Sequence, residues 1–174
     1  MLKLIYSMSQ LNCEQLMSVY HESNTVNAKI RYKECPEEMA IKREEEDFLS
    51  YLREDFFTVK GAFYAVWVVD GVYYAALRLE PYRSGLLLEA LETAPNVRRK
   101  GYAELLMNAV INHLETFEHR LLYSHIRNSN IPSLGVHKKC GFRKISDTAT
   151  LIDGTVTSKY CTMCLNLQIK NAAT

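Results

Sequence analysis

The chain has 174 residues, 48% hydrophobic and 24% charged, and 21 Lys and Arg against 20 Asp and Glu give a formal net charge of +1. That length suits one domain with a sizeable core that needs no disulfide or metal staple, and the near balance of charge argues against a broad electrostatic hold on nucleic acid or an anionic membrane. Five unevenly spaced cysteines make no disulfide framework, no apolar run is long enough for a bilayer, and the opening MLKLIYSMS lacks the apolar stretch of a signal peptide, so one cytoplasmic domain over residues 1–174 is expected.

Residues 2–7 are a short strand candidate, and Ser7 with Gln10 has the form of a capping box. A helix is expected over residues 11–21 through Leu16, Val19 and Tyr20. Pro36, Glu37 and Glu38 mark a second helix start, with proline at the first position and acids at the positive end. That helix runs to about Phe56, with Phe48, Leu52 and Phe56 four apart on one face. The run KREEED at 42–47 reads most simply as a solvated face, with an acidic docking patch for a cationic partner as the alternative.

The clearest local structure follows. Two runs of β-formers, residues 62–69 and 72–80, flank Asp70-Gly71, the signature of a tight hairpin whose turn needs positive φ. The simple register sets Trp67 opposite Tyr74 and Ala65 opposite Ala76. Arg78 and Glu80 then share a face. Pro81 is expected to end the strand, and residues 82–85 turn the chain into the next one.

Residues 86–117 read as a strand, a glycine-bearing turn and an amphipathic helix. Ala103, Leu106, Val110, Leu114 and Phe117 recur at helical spacing, with Glu104, Asn108, Asn112 and Glu115 on the other face. The turn RRKGYA, residues 98–103, has the form R-x-x-G-x-A. A helix start carries unpaired N–H groups and partial positive charge, and a small residue lets a phosphate come close enough to use them. Beyond it come a strand over 120–127, a turn at 128–130 and a short helix over 131–140 with Pro132 in its first turn. Gly141 stops that helix. Residues 142–145 and 158–169 are two closing strands, with Asp153-Gly154 between them. The order is β-α-α-β-β-β-α-β-α-β-β.

The run LETAPNVRRKGYA, residues 91–103, resembles the acyl-CoA-binding motif of the GNAT superfamily of N-acyltransferases. Downstream, Asn130, Ser133, His137, Gly141 and Phe142 look like that family's N-x-x-A/S-x-x-x-Y-x-x-x-G-F segment. Two departures stand out: His137 replaces the common tyrosine, and Ala103 the commoner last glycine. The resemblance implies an α/β (α+β), single-domain GNAT-like fold, with a mixed central sheet of six to seven strands splayed at the coenzyme site and about four flanking helices. It implies acetyl-CoA as acyl donor, its pyrophosphate on the N–H groups from Arg98 through Arg99, Lys100, Gly101 and Tyr102 to Ala103. Its pantetheine would run along Leu91, Glu92 and Thr93, whose N–H groups would hold the acyl carbonyl, and Asn130 and Ser133 would meet the pantetheine or phosphate end.

The activity implied is N-acetyl transfer to a primary amine of a small molecule or peptide, by direct attack in a ternary complex. His137 takes the tyrosine's position and is the proton-donor candidate, or it hydrogen-bonds the coenzyme without protonating it. Glu89 is the first candidate base, because the family often carries a glutamate on this strand; Glu92 and the neighbouring Glu80 are the others, and a water relay is an alternative to all three. Arg78, Glu80 and Tyr82 are the acceptor-binding candidates. No metal is expected: Cys161 and Cys164 sit i and i+3 on a strand and face opposite ways. A nicotinamide site is excluded by the lack of G-x-G-x-x-G. The resemblance leaves a homodimer open, and a non-catalytic acyl-CoA-binding sensor is the competing reading.

Overall fold

The structure, a computed structural model, describes residues 1–115 and 121–167; the expected Phe117 end of the central helix, Arg120, and the strand positions Gln168 and Ile169 lie outside the described residues. The chain begins with β1 (Leu2–Ile5), α1 (Cys13–Arg31) and α2 (Glu37–Glu54). The central elements are β2 (Phe63–Val69), β3 (Val72–Tyr82), β4 (Gly85–Thr93) and α3 (Tyr102–Leu114). After these come β5 (Leu121–Arg127), α4 (Ile131–Lys139), β6 (Arg143–Ser146), the short β7 (Ala149–Thr150) and β8 (Val156–Thr157), and β9 (Tyr160–Asn166). Among the described residues, a seven-stranded sheet has the order β1-β2-β3-β4-β5-β9-β6, and β7 and β8 form a separate ribbon. Every neighbouring pair in the large sheet is antiparallel except β4 and β5. The parallel pair needs a crossover, which α3 supplies.

Both faces of the sheet are covered. On one, Leu16 and Tyr20 of α1, Leu52 of α2 and the following Phe56 pack against Tyr64, Val66 and Ala76. On the other, Leu106, Met107, Val110 and Leu114 of α3 pack with Phe142 against Leu77, Leu79, Leu86, Leu88 and Leu122. Each fully buried leucine contributes roughly 1.5–3 kcal/mol relative to exposure. Gly85 is required where β4 meets β5: an added Cβ would lie 2.0 Å from the Leu121 carbonyl oxygen. No described helix is long and apolar enough to cross a membrane.

Several local expectations change. The Ser7–Gln10 capping box does not form; Gln10 Oε1 accepts from the Tyr6 N–H at 2.8 Å, and the cap of α1 is Asn12, whose Oδ1 accepts from the Gln15 N–H at 3.0 Å. Helix α1 runs ten residues past the expected His21, because Asn24 and Ala28 continue the buried stripe from Tyr20 without an apolar signature. The hairpin turn has Asp70 and Gly71 both at positive φ, 49° and 79°. Its register matches expectation only beside the turn. A bulge between Trp67 and Val68 then sets Trp67 opposite Ala75 and Ala65 opposite Leu77, in place of Tyr74 and Ala76. Pro81 does not end β3; β2 stops at Phe63 opposite Leu79, so proline sits where β3 has no neighbour on that side and pairs with Leu86 on the other. In the 42–47 run Glu44 is buried and takes a 2.7 Å ion pair from Arg31, while its neighbours are largely solvated.

Candidate functional site

The parallel strands part soon after they meet. Only Leu86 with Leu122 and Leu87 with Tyr123 are paired between β4 and β5, although β4 continues to Thr93 and β5 to Arg127. In the unpaired half of β4, Ala90 has φ 52°, and the register with β3 shifts between Ala76 and Arg78. This bulge bends the strand away from its ladder. The Tyr20 hydroxyl of α1 donates to the Ala90 carbonyl at 2.6 Å and fixes the bend. Burial holds the Tyr20 phenol well above its ordinary pKa, with Tyr64 and Glu92 adding to the effect, so it stays a donor.

Beyond Thr93, a turn at Pro95–Val97 buries Val97 and delivers the chain to the start of α3. Arg99 and Gly101 both take left-handed backbone, φ 62° and 84°, and Gly101 caps α3 with no side-chain hydrogen bond. The first amides of α3 therefore keep no side-chain acceptor, at the end where the helix carries partial positive charge. An added Cβ at Gly101 would meet nothing within 4 Å, so the ground above the cap is open. Arg99 and Lys100 are exposed beside it. Arg98 is held back: its Nε donates to the Thr93 carbonyl at 3.2 Å and its Nη1 pairs with Glu22 of α1. The arrangement fits a diphosphate: main-chain donors, open space and two free-standing cations.

Glu92 faces α1 and accepts from the Ser23 hydroxyl. Burial raises its pKa, opposed by Ser23 and Arg98. At α4 the second sequence motif has a clear local role. Asn130 Oδ1 caps the helix by accepting from the Ser133 N–H at 3.1 Å. His137 is 1% exposed, its ring edge-on to Phe142 at 5.0 Å, and its Nδ1 lies 2.8 Å from the Ser133 carbonyl. A carbonyl only accepts, so Nδ1 carries the proton and Nε2 presents a lone pair, buried with no hydrogen-bond partner among the described residues. Burial lowers the His137 pKa, with the Ser133 carbonyl opposing.

Arg78, Glu80 and Glu89 converge on a second feature, a cleft of about 460 Å³ between the end of α2, the β3–β4 surface and the β7–β8 ribbon. Arg78 Nη2 pairs with Glu89 Oε2 at 3.0 Å, and the guanidinium stacks over Tyr51 and Phe56 at 5.1 and 5.8 Å from the ring centres. Burial works against the Arg78 charge, but Tyr64, Glu89 and Tyr51 more than offset it and raise its pKa. Burial also raises the pKa of Glu80, helped by Glu89 and opposed by Arg78. A larger groove of about 630 Å³ lies between α1 and the start of β3, walled by Met17, Leu49, Tyr73 and Tyr74.

The expected site residues thus fall into three groups. Residues 91–103 and the α3 start form one, Asn130, Ser133 and His137 a second, and Arg78, Glu80 and Glu89 the third. Tyr82 does not line the cleft; its hydroxyl donates to the Thr150 carbonyl at 2.8 Å and its ring packs on Tyr123 and His125. Sequence reasoning missed Tyr20 and Ser23 as site residues. Each meets β4 or its neighbours only through the tertiary fold, so no local pattern marks them.

The model of the acetyltransferase (GNAT) family matches residues 20–142 of this chain. No curated protein matches its sequence. Similar crystal structures include PaiA N-acetyltransferase from Thermoplasma acidophilum in complex with coenzyme A, 13% identical, with TM-score 0.65 over 95% of this chain and 99% of that one. Ribosomal-protein-alanine N-acetyltransferase from Brucella melitensis is 17% identical, with TM-score 0.63 over 96% and 99%. Campylobacter jejuni N-acetyltransferase PseH in complex with acetyl coenzyme A is 15% identical, with TM-score 0.61 over 95% and 99%. At these identities the likeness is one of fold.

Proposed function

The chain belongs to the acetyltransferase (GNAT) family, and on that premise we propose that it transfers an acetyl group from acetyl-CoA to a primary amine of a small molecule or peptide. The observation that carries this reading is the early parting of β4 from β5, beside a helix start whose Gly101 cap brings no side-chain hydrogen bond. Residues 98–103 would hold the diphosphate, and the Leu91–Thr93 backbone the pantetheine arm. Amides on that stretch help most as negative charge gathers on the acyl oxygen.

In the transfer a C–N bond forms and the C–S bond breaks; the amine loses a proton and sulfur leaves with the electron pair. Of the two carboxylates beside the Ala90 bend, Glu89 pairs with Arg78 and Glu92 with Ser23; Glu89 is assigned the acceptance of that proton because it faces the cleft. A thiol pKa of about 8.5 makes the thiolate a tolerable leaving group unaided. His137, neutral and with its proton turned to Ser133, suits accepting a hydrogen bond from the coenzyme better than donating a proton. Thiol release from acetyl-CoA across a panel of primary amines tests the proposal; release with no member of the panel, despite tight coenzyme binding, would favour a sensor.

A further inference from the structure

Glu80 is the buried acid of the cleft, and its Oε1, like the Nε of Arg78, finds no hydrogen-bond partner among the described residues. Glu80 is 6% exposed and lines the cleft. A buried carboxylate without a partner is costly unless something else supplies the charge. Arg78 offsets this only in part: its Nη2 is turned to Glu89, and its Cζ lies over the Tyr51 and Phe56 rings. Asp55 and Asp153 stand at the rim, so four carboxylates face one guanidinium, which is already paired. The remaining wall is apolar, made by Val59, Leu151 and Ile152. Carboxylates at the floor with hydrocarbon on the sides match an ammonium group at the end of a methylene chain.

The register gives the spacing. Arg78 pairs with Glu89 and Glu80 with Leu87. Glu80 therefore lies two residues back along the sheet from Glu89, a step on the order of 7 Å. We propose that Glu80 seats a second ammonium group of the acceptor, so that this chain acetylates a linear diamine or polyamine, the reacting amine lying toward Glu89 and the Ala90 bend. The assignment as acceptor rests on the transferase reading above; the cation site does not.

Calorimetric titration of diaminobutane and of butylamine into the full chain, without acetyl-CoA, tests the site. The diamine is expected to bind at least about tenfold more tightly than the monoamine, as a charge-assisted contact with Glu80 requires. In Glu80→Gln the two amines should bind within about twofold of each other, and the exposed rim variant Asp153→Asn should lower diamine affinity by about threefold. Equal affinities in the native chain, or a diamine advantage undiminished in Glu80→Gln, would overturn the site. A chain that binds diaminobutane but not acetyl-CoA would retire the transferase reading, and with it the diamine's assignment as acceptor.

Discussion

Leu87 and Tyr123 are the last paired residues between β4 and β5. Two residues before Leu87, Gly85 lies so close to the Leu121 carbonyl that a methyl group cannot enter without moving backbone. The strands are therefore clamped at one end and free at the other. Gly85→Ala is expected to lower stability by about 2–4 kcal/mol through overpacking at the clamp. Urea unfolding checks this; a loss below about 1 kcal/mol would mean that the clamp is not rigid.

The Arg78–Glu89 pair is asymmetric in its consequences. Removing the guanidinium leaves Glu80 and Glu89 facing each other with no local counter-charge, whereas removing Glu89 leaves Arg78 with Tyr51, Phe56 and the remaining carboxylate. Arg78→Met should cost about 2–3 kcal/mol and Glu89→Gln about half of that. The double variant should lose less than the two losses added together. Chemical denaturation of the three variants reads this directly, and equal single losses would contradict the arrangement.

Much of this frame was legible in the residue pattern. Asp70-Gly71 announced the hairpin turn, and the apolar spacing from Ala103 to Leu114 announced α3. What was not legible depends on distant partners. The Trp67–Val68 bulge arises within a run of β-formers that reads the same with or without an extra residue. Helix α1 outlasts its apolar pattern because Asn24 is buried, donating to the Met17 sulfur at 3.5 Å. The bend at Ala90 has no glycine to mark it; it is held from α1 by Tyr20.

Glu80 makes stability depend on pH. Its folded pKa is raised above the unfolded value, so its contribution is fully present below the unfolded pKa, near 4.5, and is lost as pH rises through the folded pKa. Glu80→Gln removes that loss. Compared with the native chain, this variant should gain about 1 kcal/mol at pH 7, or roughly 2–4 °C in Tm, and the gain should shrink toward pH 4. A gain that is constant with pH would detach the effect from ionisation.

His137 separates binding from chemistry. With Nδ1–H on Ser133 and a lowered pKa, the ring is neutral at pH 7 and offers only a lone pair. His137→Phe should raise KM for acetyl-CoA at least about fivefold while kcat falls less than about threefold. Steady-state kinetics over acetyl-CoA concentration decide this. A tenfold fall in kcat with KM unchanged would restore the proton-donor role.

The site was legible in unequal parts. Residues 91–103 and the 130–142 segment carry patterns that local backbone geometry demands: a left-handed cap at Gly101 and the capped start of α4 at Asn130. The acidic cleft joins α2, β3, β4 and the β7–β8 ribbon, four segments separate in the chain. Arg78, Glu80 and Glu89 were visible individually, but Asp55 and Asp153 were not, because nothing local distinguishes them from other surface acids.

The central claim is an anion cradle at the start of α3, and coenzyme A titrated calorimetrically into the native chain and into Gly101→Asp tests it most directly. Asp tolerates the left-handed backbone better than most residues, so the variant should fold while placing a carboxylate where the diphosphate would sit. One equivalent of coenzyme A should bind the native chain, and the variant should bind at least about tenfold more weakly. No binding to the native chain, or equal affinity in the two, would contradict the account.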